Sequence, residues 1–406
     1  MDPGAGREGV SPPATVLVVN AGSSSLKLQV LSGDDEVRAE TLVERWSGAD
    51  DIGGLERFLA AADHVDAVGH RVVHGGPRTA SAVVDDALLA QIDALSSLAP
   101  LHNPRAVAGI KAVRRVLAGV AQVACFDTAF HATMPAAAAT YAVPAAWRER
   151  HGVRRYGFHG LSHAYAARRA AEIVRRPLEA LRIVTCHLGA GASLAAIDGG
   201  RSVDTTMGFT PLEGLVMATR SGSVDPGLVL WLLGSAGMTP EQVADGLERE
   251  GGLAGLSGVG GDLRDVSAAA ADGSADAALA IEVYVHRLRR EIAAMTAALG
   301  GLDVLVFTGG GGEHATWLRA RAAEGLGFLG VDIDADINDV THADAEITAG
   351  GGSNGPPLHP LGTSEAGSAP DGSVAGTYSG QPGGVRTVVV TAREDMEIAR
   401  QVRQTL

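Results

Sequence analysis

The chain has 406 residues, of which 46% are hydrophobic and 20% are charged. It can therefore bury a large core, and its length predicts two or three domains. The formal net charge of −14 argues against nucleic acid or an anionic membrane surface as the main partner, although it does not exclude a small anionic substrate. Because there are only two cysteines, no signal-peptide pattern and no apolar run of membrane-spanning length, we expect a soluble, cytoplasmic protein.

The first predicted elements are strands that end in glycine-rich turns. An apolar, β-branched run at 15–19 is typical of a buried strand, and an alternating stretch at 26–31 predicts its antiparallel return. A similar unit at 182–198 aligns with the first one without a gap. A third strand, within 303–312, also ends in glycines. Repeated units of this kind predict two duplicated α/β domains.

Helical periodicity and composition predict the remaining organisation. Helices are expected over 161–176, 274–299 and 394–406, the last with acids at its start and Arg near its end. Residues 1–13 lack periodicity and predict a disordered tail. Of the 37 residues in 349–385, 21 are Gly, Pro or Ser, so we interpret this segment as a mobile surface insertion.

Several patterns of bound ligands are absent or incomplete. Glycine turns between strands expose backbone N–H groups that can bind phosphate, but neither a P-loop nor a complete dinucleotide fingerprint occurs. The acidic run at 332–336 begins like a calcium loop, yet Ile337 and Ala343 stand where that loop needs Gly and Glu. We therefore interpret it as a solvated turn.

Short strings that place His and Arg beside Gly and Pro are the informative motifs, because such residues in loops can form an oxyanion or phosphoryl site. These strings are GHRVVHGGP (69–77), PLHNP (100–104), FDTAFHATMP (126–135), RRYGFHGLSH (154–163) and ATRSGSVDPG (218–227).

Together with NAGSSSLK (20–27) and HLGAG (187–191), these strings resemble the acetate kinase family, in order and spacing, from about residue 15 to about residue 400. The resemblance implies an α/β fold of two duplicated actin-like ATPase (ribonuclease H-like) domains around a nucleotide cleft. It places the N-terminal domain at 14–160 and the nucleotide-binding domain at 161–390, with the helix in 391–406 returning to the first domain.

The resemblance also assigns site residues by motif. Asp127, Arg71, His159 and Arg220 match catalytic positions, and Asn20 and Glu394 match positions near a magnesium ion. The carboxylate substrate pocket would comprise Arg71, Val73, Leu101, His102, Phe158 and Pro211. The nucleotide would contact Lys27, His187, Leu188, Gly189, Ala190, Gly191, Asp262, Leu263, Arg264, Gly310, Gly311, Gly312, Glu313 and His314.

The implied activity is reversible, direct in-line transfer of the ATP γ-phosphoryl group to acetate, which gives acetyl phosphate and ADP. Mg²⁺, or Mn²⁺, would be the cofactor, and the family resemblance implies a homodimer. One alternative is a propionate or butyrate kinase, since one methylene changes binding by only about 1–3 kcal/mol. A second is an inactive nucleotide-binding sensor, suggested by departures from the family pattern at Ala190, Ala218 and His314.

The chemistry itself constrains the role of Asp127. Both substrates are anions, so Arg71, Arg220, Lys27, His159 and the metal ion are the expected countercharges. A carboxylate acceptor is already deprotonated at neutral pH, so no general base is needed. We therefore expect Asp127 to order Mg²⁺ and its waters or to orient an arginine.

The composition of the glycine-rich segment generates a first prediction. Deletion of about 351–382 should leave the melting temperature and kcat nearly unchanged, because such a composition cannot bury a core. Thermal unfolding and steady-state kinetics of the shortened chain measure both quantities. A large loss of folded protein would show that the segment packs against the body of the molecule or against a partner subunit.

Overall fold

The computed structural model describes residues 15–22, 25–62, 64–350 and 384–406. The predicted tail at 1–13 and positions 351–383 of the predicted insertion lie outside the described residues. The described strands are Val16–Ala21 (β1), Ser25–Leu31 (β2), Val37–Glu44 (β3), Ala67–Val72 (β4), Ala82–Val83 (β5), Ala121–Phe126 (β6), Arg182–Leu188 (β7), Ala192–Asp198 (β8), Arg201–Thr205 (β9), Val304–Thr308 (β10), Ala345–Glu346 (β11) and Arg386–Val389 (β12).

These strands form two mixed sheets of the same topology. The first has the order β3-β2-β1-β4-β6-β5, and the second has the order β9-β8-β7-β10-β12-β11. In each, the first three strands are antiparallel, the two central junctions are parallel and the outermost strand is antiparallel. The second strand carries a register shift in both sheets. The predicted duplication is therefore confirmed.

The gapless alignment of the two hairpins is wrong by one residue. Four residues separate the paired Ala21 and Leu26, whereas three separate the paired Leu188 and Ala192. Because side chains alternate between sheet faces, the strands keep their register and the length difference falls in the turn.

The helices cover both faces of the sheets. They are Gly53–Ala61 (α1), Asp86–Ala94 (α2), Asn103–Val116 (α3), Ala136–Ala139 (α4), Ala145–His151 (α5), Gly160–Ile173 (α6), Pro226–Leu233 (α7), Pro240–Glu248 (α8), Gly252–Ser257 (α9), Leu263–Ala271 (α10), Ala275–Leu299 (α11), Gly309–His314 (α12), Thr316–Glu324 (α13), Ala335–Val340 (α14) and Glu394–Thr405 (α15). Ser274 caps α11 by accepting a hydrogen bond from Ala277 N.

Helices α3 and α15 pack on the first sheet, and α6 and α11 pack on the second. Helix α15 also packs against α6, and the buried Glu397 of α15 pairs with Arg168 of α6. The chain therefore ends on the first sheet after it has built the second one. Val385, at the end of the predicted insertion, is buried and bridges to Val331.

A glycine lets α15 approach the first sheet closely. A Cβ on Gly69 of β4 would lie 2.4 Å from Cγ2 of Ile398 and 2.8 Å from Cγ2 of Val402. Both of these side chains are fully buried. The backbone at Gly69 is in an ordinary region, so the requirement here is space.

No helix among the described residues is long and apolar enough to cross a bilayer.

Replacing this glycine should therefore move the last helix. Gly69→Ala should lower the free energy of unfolding by about 1–3 kcal/mol through overpacking. It should also lower kcat, because a shift of α15 would displace its first residue, Glu394, which is expected to lie near the magnesium ion. Gly246→Ala in α8 is the matched control, since its Cβ would meet no atom within 4 Å and Ala favours a helix. Denaturant unfolding and steady-state kinetics of the two variants measure these quantities. A wild-type free energy of unfolding and a wild-type kcat for Gly69→Ala would contradict the prediction.

Candidate active site

Three of the expected site residues meet in one ion-paired cluster. Arg71 lies near the end of β4, Asp127 directly follows β6 and Glu394 begins α15. Nη2 of Arg71 donates to Oδ2 of Asp127 at 2.8 Å, and Nη1 lies 3.0 Å from Oε2 of Glu394. Parallel strands bring their carboxyl ends to one edge of the sheet, which is why residues 56 positions apart can touch.

Burial disfavours the charged forms of the side chains in this cluster. The Asp127 side chain is 1% exposed, and burial raises its pKa to about 6, against the lowering effect of Arg71 and with a further increase from Glu394. Burial opposes the charge on Arg71, but the two carboxylates raise the pKa of its guanidinium. One arginine thus pairs with two carboxylates. Because the carboxylates outnumber the cation, the cluster can accept additional positive charge.

A cavity of about 330 Å³ opens beside this cluster. Its lining comprises Asn20, Ala21, Gly22, Ser25, Lys27, Leu42, Arg71, Val73, His102 and Ala106. Burial, together with the charges of Arg220 and Arg71, lowers the pKa of His102 to about 4. Of the other expected pocket residues, Phe158 is buried, whereas Leu101 is 41% exposed.

His159 and Arg220 converge on the glycine turn of the second hairpin. A Cβ on Gly191 would lie 3.4 Å from Nε2 of His159 and 3.5 Å from Nη2 of Arg220. Arg220 donates to the carbonyl of Pro211 at 2.8 Å, and no described carboxylate pairs with it. Burial lowers the pKa of His159 well below its usual range, and the charges of His187, Arg71, His163 and Arg220 act in the same direction. His159 is therefore neutral at pH 7, contrary to its expected role as a countercharge.

A second cavity, of about 720 Å³, lies on the other side of this turn. Nine of the expected nucleotide residues line it: Leu188, Gly189, Ala190, Asp262, Leu263, Arg264, Gly310, Gly311 and His314. Ala218, which the sequence marked as a departure from the family pattern, also lines it, together with six residues that the sequence did not assign to the nucleotide: Thr219, Leu253, Gly261, Tyr284, Ala315 and Trp317. Several of these carry no polar side-chain group, so only their place in the fold reveals them.

Comparisons with known proteins show the family to which the chain belongs. The family model described as "Acetokinase family" matches residues 51–351. The acetate kinase of Shouchella clausii is 42% identical over 369 residues, covering 83% of this chain and 93% of the relative. That of Thermoanaerobacter pseudethanolicus is 45% identical over 360 residues, covering 80% and 90%. The chain belongs to the acetokinase family.

Solved structures of this family share the whole fold. Acetate kinase from Porphyromonas gingivalis has a TM-score of 0.82 at 33% identity, with 97% of this chain and 99% of that one covered. A propionate kinase from Francisella tularensis has a TM-score of 0.83 at 32% identity, with 97% and 100% covered. The chain is accordingly an enzyme with the two actin-like domains of the acetokinases.

Gly312 and Glu313, two of the expected nucleotide contacts of this acetokinase, also make hydrogen bonds that support the site. Oε1 of Glu313 accepts from Ala392 N at 3.0 Å, so it holds the segment that precedes Glu394. The carbonyls of Gly312 and Glu313 accept hydrogen bonds from the fully buried Arg319. The glycines of 309–312 begin helix α12 rather than forming a turn, and Arg319 stabilises a helix whose glycines disfavour it.

The residues at the arginine cluster fit a divalent cation such as Mg²⁺. Asp127 contributes a buried carboxylate and Glu394 a partly buried one, both share one arginine, and Asn20 lines the adjoining cavity. Oxygen donors of this kind are what Mg²⁺ prefers. Within the described ranges, no group of three or more His, Cys, Asp or Glu forms a complete metal cage. Mg²⁺ usually takes one or two carboxylates together with substrate phosphates and water, so two carboxylates suffice.

The space beside Gly191 yields a prediction. Gly191→Ala should keep the wild-type melting temperature, because its methyl group would make ordinary contacts at 3.4–3.5 Å. It should lower kcat by about 10-fold or more, because the methyl group occupies the gap between His159 and Arg220 where a transferred group would lie. Thermal unfolding measures the melting temperature of the variant, and initial rates measure its kcat. A fully active variant would mean that the gap is not part of the reaction site.

Proposed function

We propose that this acetokinase transfers the γ-phosphoryl group of ATP reversibly to acetate, giving acetyl phosphate and ADP by direct in-line displacement. The observation that supports it is a pair of cavities at the arginine cluster and the glycine turn: Arg71 lines the smaller cavity, and the turn that His159 and Arg220 approach lines the larger one. The larger cavity, with its glycine turn and glycine-led helix, suits a nucleotide. The smaller one, with Val73 and His102 beside Arg71, suits a short carboxylate.

The residues of the chain act mainly through charge and position. Arg71 and Arg220 supply positive charge to two anions that repel each other, and an arginine in such a place contributes about 10³–10⁵ in rate. The neutral His159 contributes a hydrogen bond rather than a charge. Asp127 orients Arg71 through its carboxylate and would hold Mg²⁺ together with Glu394 and Asn20. That ion would neutralise phosphate charge when bound.

The acceptor can be tested directly. Purified full-length chain is supplied with ATP and Mg²⁺ and with acetate, propionate or butyrate, and ADP release is measured with a coupled assay. The highest kcat/KM is expected with acetate. A higher value with propionate would favour the second candidate, which the likeness to the Francisella tularensis propionate kinase keeps open. No turnover with any carboxylate would support a sensor. A homodimer remains a prediction of the family resemblance.

The two arginines should respond differently to substitution. Arg71→Ala and Arg220→Ala should each lower kcat by at least about 10²-fold. Only Arg71→Ala should also lower the melting temperature markedly, because it leaves the buried Asp127 without its cation. Lys should restore little activity at either position, since it lacks the planar fork. Normal turnover in either Ala variant would remove that arginine from the site.

Asp127→Asn tests the assignment of this acid. With a pKa of about 6, Asp127 becomes protonated as the pH falls from 7 to 5, so the wild-type rate at limiting Mg²⁺ should fall over that interval. The Asn variant should lack this limb, should need more Mg²⁺ for half-maximal rate and should regain part of its activity in excess Mg²⁺. A variant that binds Mg-ATP normally but is inactive at every Mg²⁺ concentration would contradict the metal role. An almost silent variant would show that Asp127 is structural.

A further inference from the structure

Four histidine rings lie together beneath the reaction site. His159 and His187 have ring centroids 4.4 Å apart, and His163 lies 6.5 Å from His159 and 5.7 Å from His131. Burial lowers the pKa of all four. His163 and His131 are fully buried. Each neutral ring must therefore place its single N–H on one of two nitrogens.

A continuous chain of hydrogen bonds runs from Thr185 through His163 and Ser193 to His159. Oγ1 of Thr185 lies 2.7 Å from Nδ1 of His163, and Nε2 of His163 lies 2.8 Å from Oγ of Ser193. The same Ser193 oxygen lies 2.9 Å from Nδ1 of His159. Thr185, His163 and Ser193 are fully buried, so water cannot substitute for any member.

Counting hydrogens leaves two arrangements of this chain. A serine hydroxyl has one hydrogen, so Ser193 donates to one imidazole and accepts from the other. If it donates to His159, then Nδ1 of His159 is an acceptor and its Nε2 carries the hydrogen. If it donates to His163, the His159 hydrogen lies on Nδ1, and Nε2 presents a lone pair to the site.

The surroundings of Nε2 select the first arrangement. This nitrogen faces the gap beside Gly191 that it shares with Arg220, where the proposed function brings an anionic phosphoryl group. A lone pair there would repel the anion, whereas an N–H would donate to it. The neighbouring His131 also carries its hydrogen on Nε2, for which its own partners give the reason. Its Nε2 must donate to the carbonyl of Phe158, so its Nδ1 must accept from the hydroxyl of Ser202.

We propose that Thr185, His163 and Ser193 are positioning residues that hold His159 as its Nε2–H tautomer. The hydroxyl of Thr185 donates to Nδ1 of His163, Nε2–H of His163 donates to Ser193, and Ser193 donates to Nδ1 of His159. The chain thus aims a fixed donor at the transferred group without any rearrangement during the reaction. The inference deepens the proposed function and rests on it for the ligand that His159 faces.

Ser193→Ala and Ser202→Ala form a matched pair of variants. Both serines are fully buried on neighbouring strands, and each lies within 2.9 Å of an imidazole Nδ1, but only Ser193 connects to His159. We expect Ser193→Ala to lower kcat about 10- to 100-fold, the range for a hydrogen bond to a charged group. The KM for ATP should stay within about 2-fold. Ser202→Ala should keep kcat within about 2-fold.

Two further variants test the rest of the chain and guard against misfolding. His163→Gln offers an amide that can both accept from Thr185 and donate to Ser193, so it should retain more activity than His163→Leu. Thr185→Val keeps the shape of the side chain but removes the hydroxyl, and it should lower kcat with little change in the KM for ATP. Equal activity of His163→Gln and His163→Leu would contradict the relay.

The tautomer itself can be observed without any activity. Nitrogen-15 NMR of histidine-labelled full-length chain, assigned with a His159→Gln variant, should show the His159 hydrogen on Nε2 in the wild type and a changed distribution in Ser193→Ala. A wild-type His159 with its hydrogen on Nδ1 would overturn the inference. So would equal kcat values for Ser193→Ala and Ser202→Ala in an active enzyme. A wild type that transfers no phosphoryl group would instead overturn the proposed function, and the NMR result would stand by itself.

Discussion

The site depends on one partly buried arginine held between two carboxylates that are far apart in the chain. Asp127 follows a strand of the first sheet, whereas Glu394 begins the helix that closes the fold. Arg71 stabilises the charge of the buried Asp127, and Arg71 would be costly to bury without its carboxylate partners. The contact with Glu394 therefore requires that α15 returns from the second sheet to the first.

The same return connects the two halves of the site. Glu313 lies in the helix beside the nucleotide cavity, and its carboxylate holds Ala392 two residues before Glu394. Buried Arg319 secures the carbonyls of that helix, and Gly69 lets α15 lie close to β4. A change in position of the glycine-led helix would thus reach the arginine cluster through a short run of backbone.

Desolvation decides how the other charged candidates act. Arg220 stays charged although burial lowers the pKa of its guanidinium, because an arginine pKa starts far above neutrality. His159 starts near neutrality, so the same cause leaves it uncharged. The site therefore combines fixed cations with neutral donors. The four histidines near the site, His131, His159, His163 and His187, accordingly have hydroxyl side chains as hydrogen-bond partners.

Much of the fold and the outline of the site could be predicted from local patterns. Alternation and glycine turns predicted both hairpins and the duplication, and helix periodicity predicted α6, α11 and α15 to within a few residues. Ordered motifs identified Arg71, Asp127, His159 and Arg220, because their chemistry depends on residue type. Leu253 and Tyr284 could not be recognised as lining a cavity, since nothing in their own neighbourhood distinguishes them from core residues.

The sequence by itself determined the family and the repeated architecture and predicted a set of candidate reactive side chains, because these depend on local spacing and composition. Only the tertiary structure decided which carboxylates share Arg71, that His159 is neutral, that Glu313 braces the last helix and that Ser193 joins two imidazoles. Each of these depends on burial or on contact between segments far apart in the chain. Charge states and hydrogen-bond partners follow from that packing, and no local pattern encodes it.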